Sequence, residues 1–166
     1  MAIKRYHANA DNTITNAFKA DLSTRGTGSN MGAADVLEVF SIYGQASGST
    51  ARLSSELTRT LIKFPIDQIQ TDRSASTIPL SGNVSFYLKM YNAPHTQTVP
   101  KDMYLMAHAI TRSWQEGTGL DMEEYTDLTY GKAGSTWFGG GLTGSWEHKG
   151  GDFSSDIIEA AAATAT

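Results

Sequence analysis

The sequence predicts an all-β protein, an antiparallel jelly-roll β-sandwich, and three observations support this prediction. Short runs of β-branched and aromatic residues recur along the chain, and Gly, Ser, Asn and Pro separate them. Helical periodicity is scarce, and the sequence shows no internal repeat. The chain has 166 residues, including 16 glycines and no cysteine. This length fits one domain with a core that needs no disulfides.

The strand candidates follow one another from the N-terminus. The first four combine β-branched or aromatic residues with polar ones: 3–8, 12–17, 36–43 and 59–65. A loop is predicted over 44–55, and a short helical turn is predicted over 66–70. Residues 84–91 are the longest strand candidate, and 103–110 form another that is expected to continue to Trp114.

The domain organisation follows from composition. We expect residues 1–153 to form the jelly-roll domain and residues 154–166 to be a C-terminal tail or linker. Four consecutive alanines near the end are too few to nucleate a helix alone, and chain ends commonly fray.

The aromatic residues divide into a predicted core and a predicted contact surface. Trp is highly buried on average, so the core anchors are expected to be Phe64, Tyr87, Trp114 and Trp137. Exposed rings are the usual platform for stacking sugars, and the candidates for contact with a glycan or partner are Trp146, Tyr125 and Tyr130.

Composition and motifs argue against several classes of function. The chain has 13 basic and 17 acidic residues, whereas a nucleic-acid-binding protein needs a basic face. No apolar stretch approaches the length of a membrane span. The sequence contains no GxSxG or HExxH motif, and Glu116 has no second acid that the sequence places opposite it. We therefore expect a protein that is not an enzyme and binds neither nucleic acid nor membrane.

One acidic cluster raises the question of a metal. Its members are Asp121, Glu123, Glu124 and Asp127. Hard cations such as Ca²⁺ take several carboxylate and carbonyl oxygens, so a structural calcium site is one interpretation. A solvated loop face is the other interpretation, because the spacing of an EF-hand is absent. We expect no other cofactor.

Five motifs in order resemble a known family. Their positions in this sequence are Ala10–Ile14, Asn30–Gly32 together with Leu37–Val39, Arg59–Phe64, Val84–Tyr91 and Thr111–Thr118. This series resembles the jelly-roll domains of the DNRLRE type, which are related to carbohydrate-binding modules. The resemblance covers about residues 8–153, and it implies a β-sandwich and binding of a surface polysaccharide.

A second resemblance concerns the opening of the chain. Residues Met1–Tyr6, Thr13–Ala17 and Gly28–Gly32 resemble virion structural proteins of T4-like phages that infect marine cyanobacteria. This resemblance implies a non-catalytic virion protein, assembled in the host cytoplasm, that decorates the capsid or anchors a fibre at the neck or tail. Its partners would be other virion proteins and further copies of itself in a symmetric assembly. The alternative is an adhesin that recognises a surface polysaccharide.

Overall fold

The computed structural model describes residues 3–19, 21–43, 55–82, 84–96, 103–120, 133–141 and 144–163. Within these ranges the chain forms strands and one short helix, which confirms the all-β class. In chain order the elements are β1 (Ala10–Thr15), β2 (Ser41–Tyr43), β3 (Ser55–Lys63), α1 (Ile66–Ser74), β4 (Met103–Ile110) and β5 (Phe153–Ala163).

The first sheet has three antiparallel strands in the order β1-β3-β2. The central strand β3 pairs with β1 from Ala10 opposite Lys63 to Thr15 opposite Thr58. On its other edge β3 pairs with β2, where Ser41 lies opposite Leu57. The predicted strand at 36–43 is therefore much shorter, since only its last three residues join the sheet.

The second sheet is a two-stranded antiparallel ribbon of β4 and β5. Met103 lies opposite Ala163 and Ile110 opposite Phe153, with register shifts on both sides of His108. The prediction of a tail from residue 154 is wrong as far as Ala163, because this segment is strand β5. Alanine has low strand propensity, so hydrogen bonding to β4, rather than local sequence, makes this segment a strand.

The helix α1 lies on the surface and runs four residues beyond the predicted turn. None of its nine residues is buried. Asp67 in its first turn and Arg73 in its last turn suit the helix dipole. The N-terminal segment 3–8 is tied to this helix instead of forming the predicted strand: the Tyr6 hydroxyl donates to Asp72 Oδ2 at 2.6 Å.

The core lies between the first sheet and the C-terminal loops. Its buried members are Ile14, Leu61, Trp137 and Trp146, and Leu57, Ile110 and Trp114 pack against them. Trp137 is therefore buried as predicted, and Trp114 is partly buried at the edge of the core. Phe64 is also only partly buried.

The prediction that Tyr87 belongs to the core is wrong. Its side chain is 87% exposed. The reason is that residues 84–91 are not assigned to a strand, although the sequence makes them the longest strand candidate. By contrast, the prediction of a strand at 103–110 matches β4, which ends at Ile110 and does not continue to Trp114.

Candidate functional site

Asn30 sits at the centre of a tight backbone crossing. Its Oδ1 accepts a hydrogen bond from the N–H of Gly119 at 2.9 Å, and its Nδ2 donates to the carbonyl of Ala133 at 3.3 Å. A Cβ on Gly117 would overlap the Asn30 amide, and a Cβ on Gly134 would overlap Gly117. Two of the motifs behind the family resemblance, Asn30–Gly32 and Thr111–Thr118, thus meet in space and hold the loops together.

A second buried amide joins β1 to the same loops. Asn12 is fully buried. Its Nδ2 donates to Ser135 at both the carbonyl oxygen (2.9 Å) and Oγ (2.8 Å), and its Oδ1 accepts from the N–H of Met31 at 2.9 Å. Because every polar atom of this amide has a partner, its burial is not penalised. The sequence motifs did not identify Asn12 or Asn30 as buried, since Asn is usually a surface residue.

The guanidinium of the half-buried Arg59 packs against two aromatic rings. It lies 5.2 Å from the ring centroid of Trp137 and 4.9 Å from that of Phe153, and its Nη1 donates to the carbonyl of Gly150 at 2.8 Å. Burial lowers the pKa of Arg59 below its ordinary value. Arg59 therefore links the first sheet to the ribbon through Phe153, the first residue of β5.

Of the three predicted contact rings, the structure describes one, Trp146. Trp146 is only 6% exposed, and its Nε1 donates to the carbonyl of Thr136 at 2.8 Å. The prediction that Trp146 contacts a glycan is therefore wrong, because its ring belongs to the core. Tyr125 and Tyr130 lie outside the described residues.

The calcium candidates cannot be placed either, because they all fall outside the described residues: Asp121, Glu123, Glu124 and Asp127. Among the residues that the structure does describe, no group of three or more His, Asp or Glu side chains is arranged to hold a metal ion. No helix in the described part of the chain is long and apolar enough to cross a bilayer.

The structure places a second acid next to Glu116. Glu116 Oε1 accepts a hydrogen bond from the backbone N–H of Asp11 at 2.9 Å. Burial, and then the charge of Glu116, raise the pKa of the Asp11 carboxyl above its ordinary value. No local pattern indicates this pair, since the two residues are 105 positions apart.

A third carboxylate organises the turn before β5. Asp152 accepts hydrogen bonds from the N–H groups of Glu147 (2.9 Å) and His148 (2.8 Å), and Arg112 Nε lies 3.1 Å from its Oδ2. Burial alone would raise the pKa of Asp152, but these N–H groups and the Arg112 charge outweigh it and lower that pKa. This network holds the end of β4 against the start of β5.

Two surface cavities are lined by described residues. One, of about 200 Å³, lies between the N-terminal segment and residues 88–90, and Phe64 and Asp11 contribute to its walls. The other, of about 260 Å³, is lined by Asn16, Arg25, Thr27, Trp137, Phe138 and Lys149. In the second cavity Lys149 Nζ lies 5.5 Å from the centroid of the Phe138 ring, whereas the guanidinium of Arg25 stacks on the ring of Phe18 at 4.1 Å.

The most conspicuous surface feature is the segment 84–91, which we call the unpaired segment. Five of its large side chains are at least half exposed: Phe86, Tyr87, Leu88, Met90 and Tyr91. Beyond Val84, no backbone hydrogen bond joins this segment to another part of the described chain. Its composition is typical of a strand, but no neighbouring strand pairs with it among the described residues.

The ribbon adds to this uncovered apolar surface. Tyr104 in β4 is 81% exposed, and Met106 is 66% exposed. A strand with an almost continuous apolar run is typical of burial on both faces, and β4 reads MYLMAHAI. That run was the available signal that β4 needs a second layer, but the sequence does not say which layer covers it.

A comparison of the chain with protein-family models, curated proteins and solved structures found no match. Among the described residues, the fold and surface define the class: an all-β protein with buried, hydrogen-bonded amides and exposed apolar side chains in residues 84–91 and in β4.

Proposed function

We propose that this chain is a non-catalytic structural protein of a phage particle, which decorates the capsid or anchors a fibre at the neck or tail. The observation that carries the proposal is the apolar surface of the unpaired segment and β4. A protein that works alone rarely exposes large contiguous apolar patches, and such patches usually mark contacts with other proteins. A subunit inside a particle has neighbours that cover them.

Two features of the sequence support this role. The opening of the chain resembles virion proteins of cyanobacterial phages, and the chain has no cysteine, which suits assembly in a reducing cytoplasm. The proposal includes the jelly-roll arrangement that the motif order implies. The convergence of Asn30 and Gly117 supports it, because both belong to motifs of that series.

The particle itself provides the test. Phage particles purified on a density gradient should contain the chain at a constant copy number per particle, and immunogold labelling should place it at one location. A high-salt wash should not release it, because apolar contacts are not screened by salt. Recovery of the chain only as free protein from lysates would contradict the proposal.

The second cavity favours one alternative, a module that binds an acidic polysaccharide. Phe138 is 42% exposed and offers a ring on which a sugar can stack, and Arg25 and Lys149 offer charge for a carboxylate or sulfate. Arg25 also donates to the carbonyl of Asn16 at 2.6 Å, so its guanidinium is held in place.

Binding measurements with alginate and with neutral dextran distinguish the two candidates. The alternative predicts binding to alginate, lost in Phe138→Ala and weakened by salt and by Lys149→Gln. Tyr91→Ala, another exposed ring outside this cavity, is the matched control and should bind normally. Absence of binding to charged and neutral polymers alike would leave only the structural role.

A further inference from the structure

We infer that the unpaired segment of one copy pairs as a β-strand with the open edge of β4 in a second copy of this chain. The inference deepens the proposed function and rests on its assembly role, because it names the partner that covers the apolar surface. The partner is identical in sequence, so the interface is one between copies.

The first argument concerns the backbone of the unpaired segment. Each of its residues carries an N–H and a C=O group, and such groups are almost always paired once they are buried. Covering the exposed apolar side chains of this segment therefore also requires partners for its backbone. Residues 85–91 have no backbone partner in the described chain. Their composition, SFYLKMY, is that of a strong strand. An extended segment of this kind is a ready template for pairing with another strand edge.

The second argument concerns the ribbon. A two-stranded sheet is only marginally stable by itself in water. Among the described strands, β4 pairs with β5 alone, so its other edge is open. The exposed Tyr104 and Met106 also need cover. A third strand along this edge would pair the backbone and bury these side chains at the same time.

The third argument explains why the occupant is a second copy. The unpaired segment spans eight residues, and β4 also spans eight residues. Lys89 is the only charged side chain in the segment, and β4 carries no Lys, Arg, Asp or Glu. Two nearly uncharged apolar strands of equal length therefore match without repulsion. Since each copy has both the strand and the open edge, pairing can close a dimer or propagate into a ring or filament.

Disulfide mapping tests the contact directly, because the chain has no native cysteine. Ser85→Cys, Tyr87→Cys and Lys89→Cys are each mixed under oxidising conditions with Tyr104→Cys, Leu105→Cys, Met106→Cys and Ala107→Cys, so that both faces of β4 are sampled. At least one mixture should give a cross-linked heterodimer, since opposed Cβ atoms of paired strands lie within disulfide reach. Ser74→Cys, exposed on α1, is the matched control and should not cross-link with the β4 variants.

Two separate proline substitutions provide a test that does not depend on the register of the paired strands. Alternate N–H groups of a strand face a given neighbour, so Tyr87→Pro and Leu88→Pro should differ. One should weaken self-association by about tenfold or more in analytical ultracentrifugation, and the other should have a clearly smaller effect. Both should keep the tryptophan fluorescence of the native core, because these exposed side chains lie outside it.

The outcomes separate this inference from the proposed function. A chain that stays monomeric at high micromolar concentration, or that gives no cross-link above the control, overturns the inference. If such a chain is nevertheless found in phage particles, the structural role stands, and another virion protein covers the surface. If the copies pair as inferred but the chain is missing from particles, the proposed phage role is contradicted and the pairing inference stands.

Discussion

Asn30 and Gly117 lie so close together that a Cβ atom on Gly117 would overlap the side-chain amide of Asn30. The same amide accepts a hydrogen bond from the N–H of Gly119. Glycine at position 117 is therefore required by packing and not by an unusual backbone angle. This contact fastens the loop after β1 to the loop after β4.

The first prediction tests this crossing. Gly117→Ala should lower the free energy of unfolding by about 1–3 kcal/mol, because overpacking forces the backbone apart. Urea denaturation measures the loss. In the Asn30→Ala background the same change should cost less, since the amide that it meets is gone. Gly82→Ala is the control: it has a positive φ but open space around it, so it should cost only about 1–2 kcal/mol, unaffected by Asn30→Ala.

The second prediction tests the position of Trp146. Trp146→Ala should lower the free energy of unfolding by about 3–5 kcal/mol, because it removes a buried ring and the bond from Nε1 to Thr136. Tyr91→Ala, at an 80% exposed ring, should change that free energy by less than about 0.5 kcal/mol. Equal stability of the two variants would mean that the Trp146 ring is outside the core.

The third prediction concerns the pair of acids. Because the folded state raises the pKa of Asp11, its ionised carboxylate opposes folding at neutral pH. Asp11→Asn should therefore raise the melting temperature at pH 7. The gain should shrink as the pH falls through the raised pKa of the folded state, and it should be lost below the unfolded value of about 3.9, where the carboxyl is protonated in both states.

Glu116→Gln is the matched variant for that pair. It keeps a side-chain oxygen that accepts from the Asp11 N–H but removes the neighbouring charge. Part of the stabilisation should appear in it, because the Glu116 charge is only the second cause of the shift. A melting temperature that falls in Asp11→Asn at neutral pH would show that the carboxylate is favourably placed.

The fourth prediction concerns Asp152, whose pKa shifts in the opposite direction to that of Asp11. The folded state lowers the pKa of Asp152, so its carboxylate stabilises the fold at pH values above the unfolded value of about 3.9. This contribution should be lost as the pH falls through the lowered pKa of the folded state. Asp152→Asn should be less stable than the parent at pH 7, and the two should converge at strongly acidic pH.

The exposed Asp35 provides a control for Asp152. Asp35→Asn changes the net charge by the same amount but leaves the Arg112–Asp152 network intact. Its urea midpoint should follow the parent across the pH range. If Asp35→Asn and Asp152→Asn behave alike, net charge and not the local network sets the acid sensitivity.

How far the sequence could predict the structure is clear from three segments. The sequence predicts where β4 begins, because its apolar run and the loop before it are local features, but the strand ends at Ile110 and not at Trp114. The segment 154–163 was mistaken for a tail because alanine has little strand propensity, and only pairing with β4 makes it β5. Tyr87 was mistaken for a core residue because a strand-like sequence does not specify whether a second layer covers it.

The residues of the candidate site also divide into those whose position the sequence predicts and those whose position it does not. Burial of Trp137 was predicted from the residue type, whereas burial of Trp146 was not, because an average preference does not decide between two similar rings. The contacts of Asn12 with Ser135 and of Asp11 with Glu116 span more than a hundred positions. No local pattern encodes which distant partner a polar group meets.

The sequence by itself determined the all-β class, the place of β4 in the chain, and the fact that several apolar segments must be buried against a partner. These properties depend on side-chain type and spacing, which act over a few neighbouring residues. Only the tertiary structure decided that Asn30 meets Gly117, that Trp146 is buried, and that residues 84–91 and one edge of β4 have no partner strand among the described residues. Those outcomes depend on which distant segments compete for the same partners, and that competition is settled by packing of the whole chain.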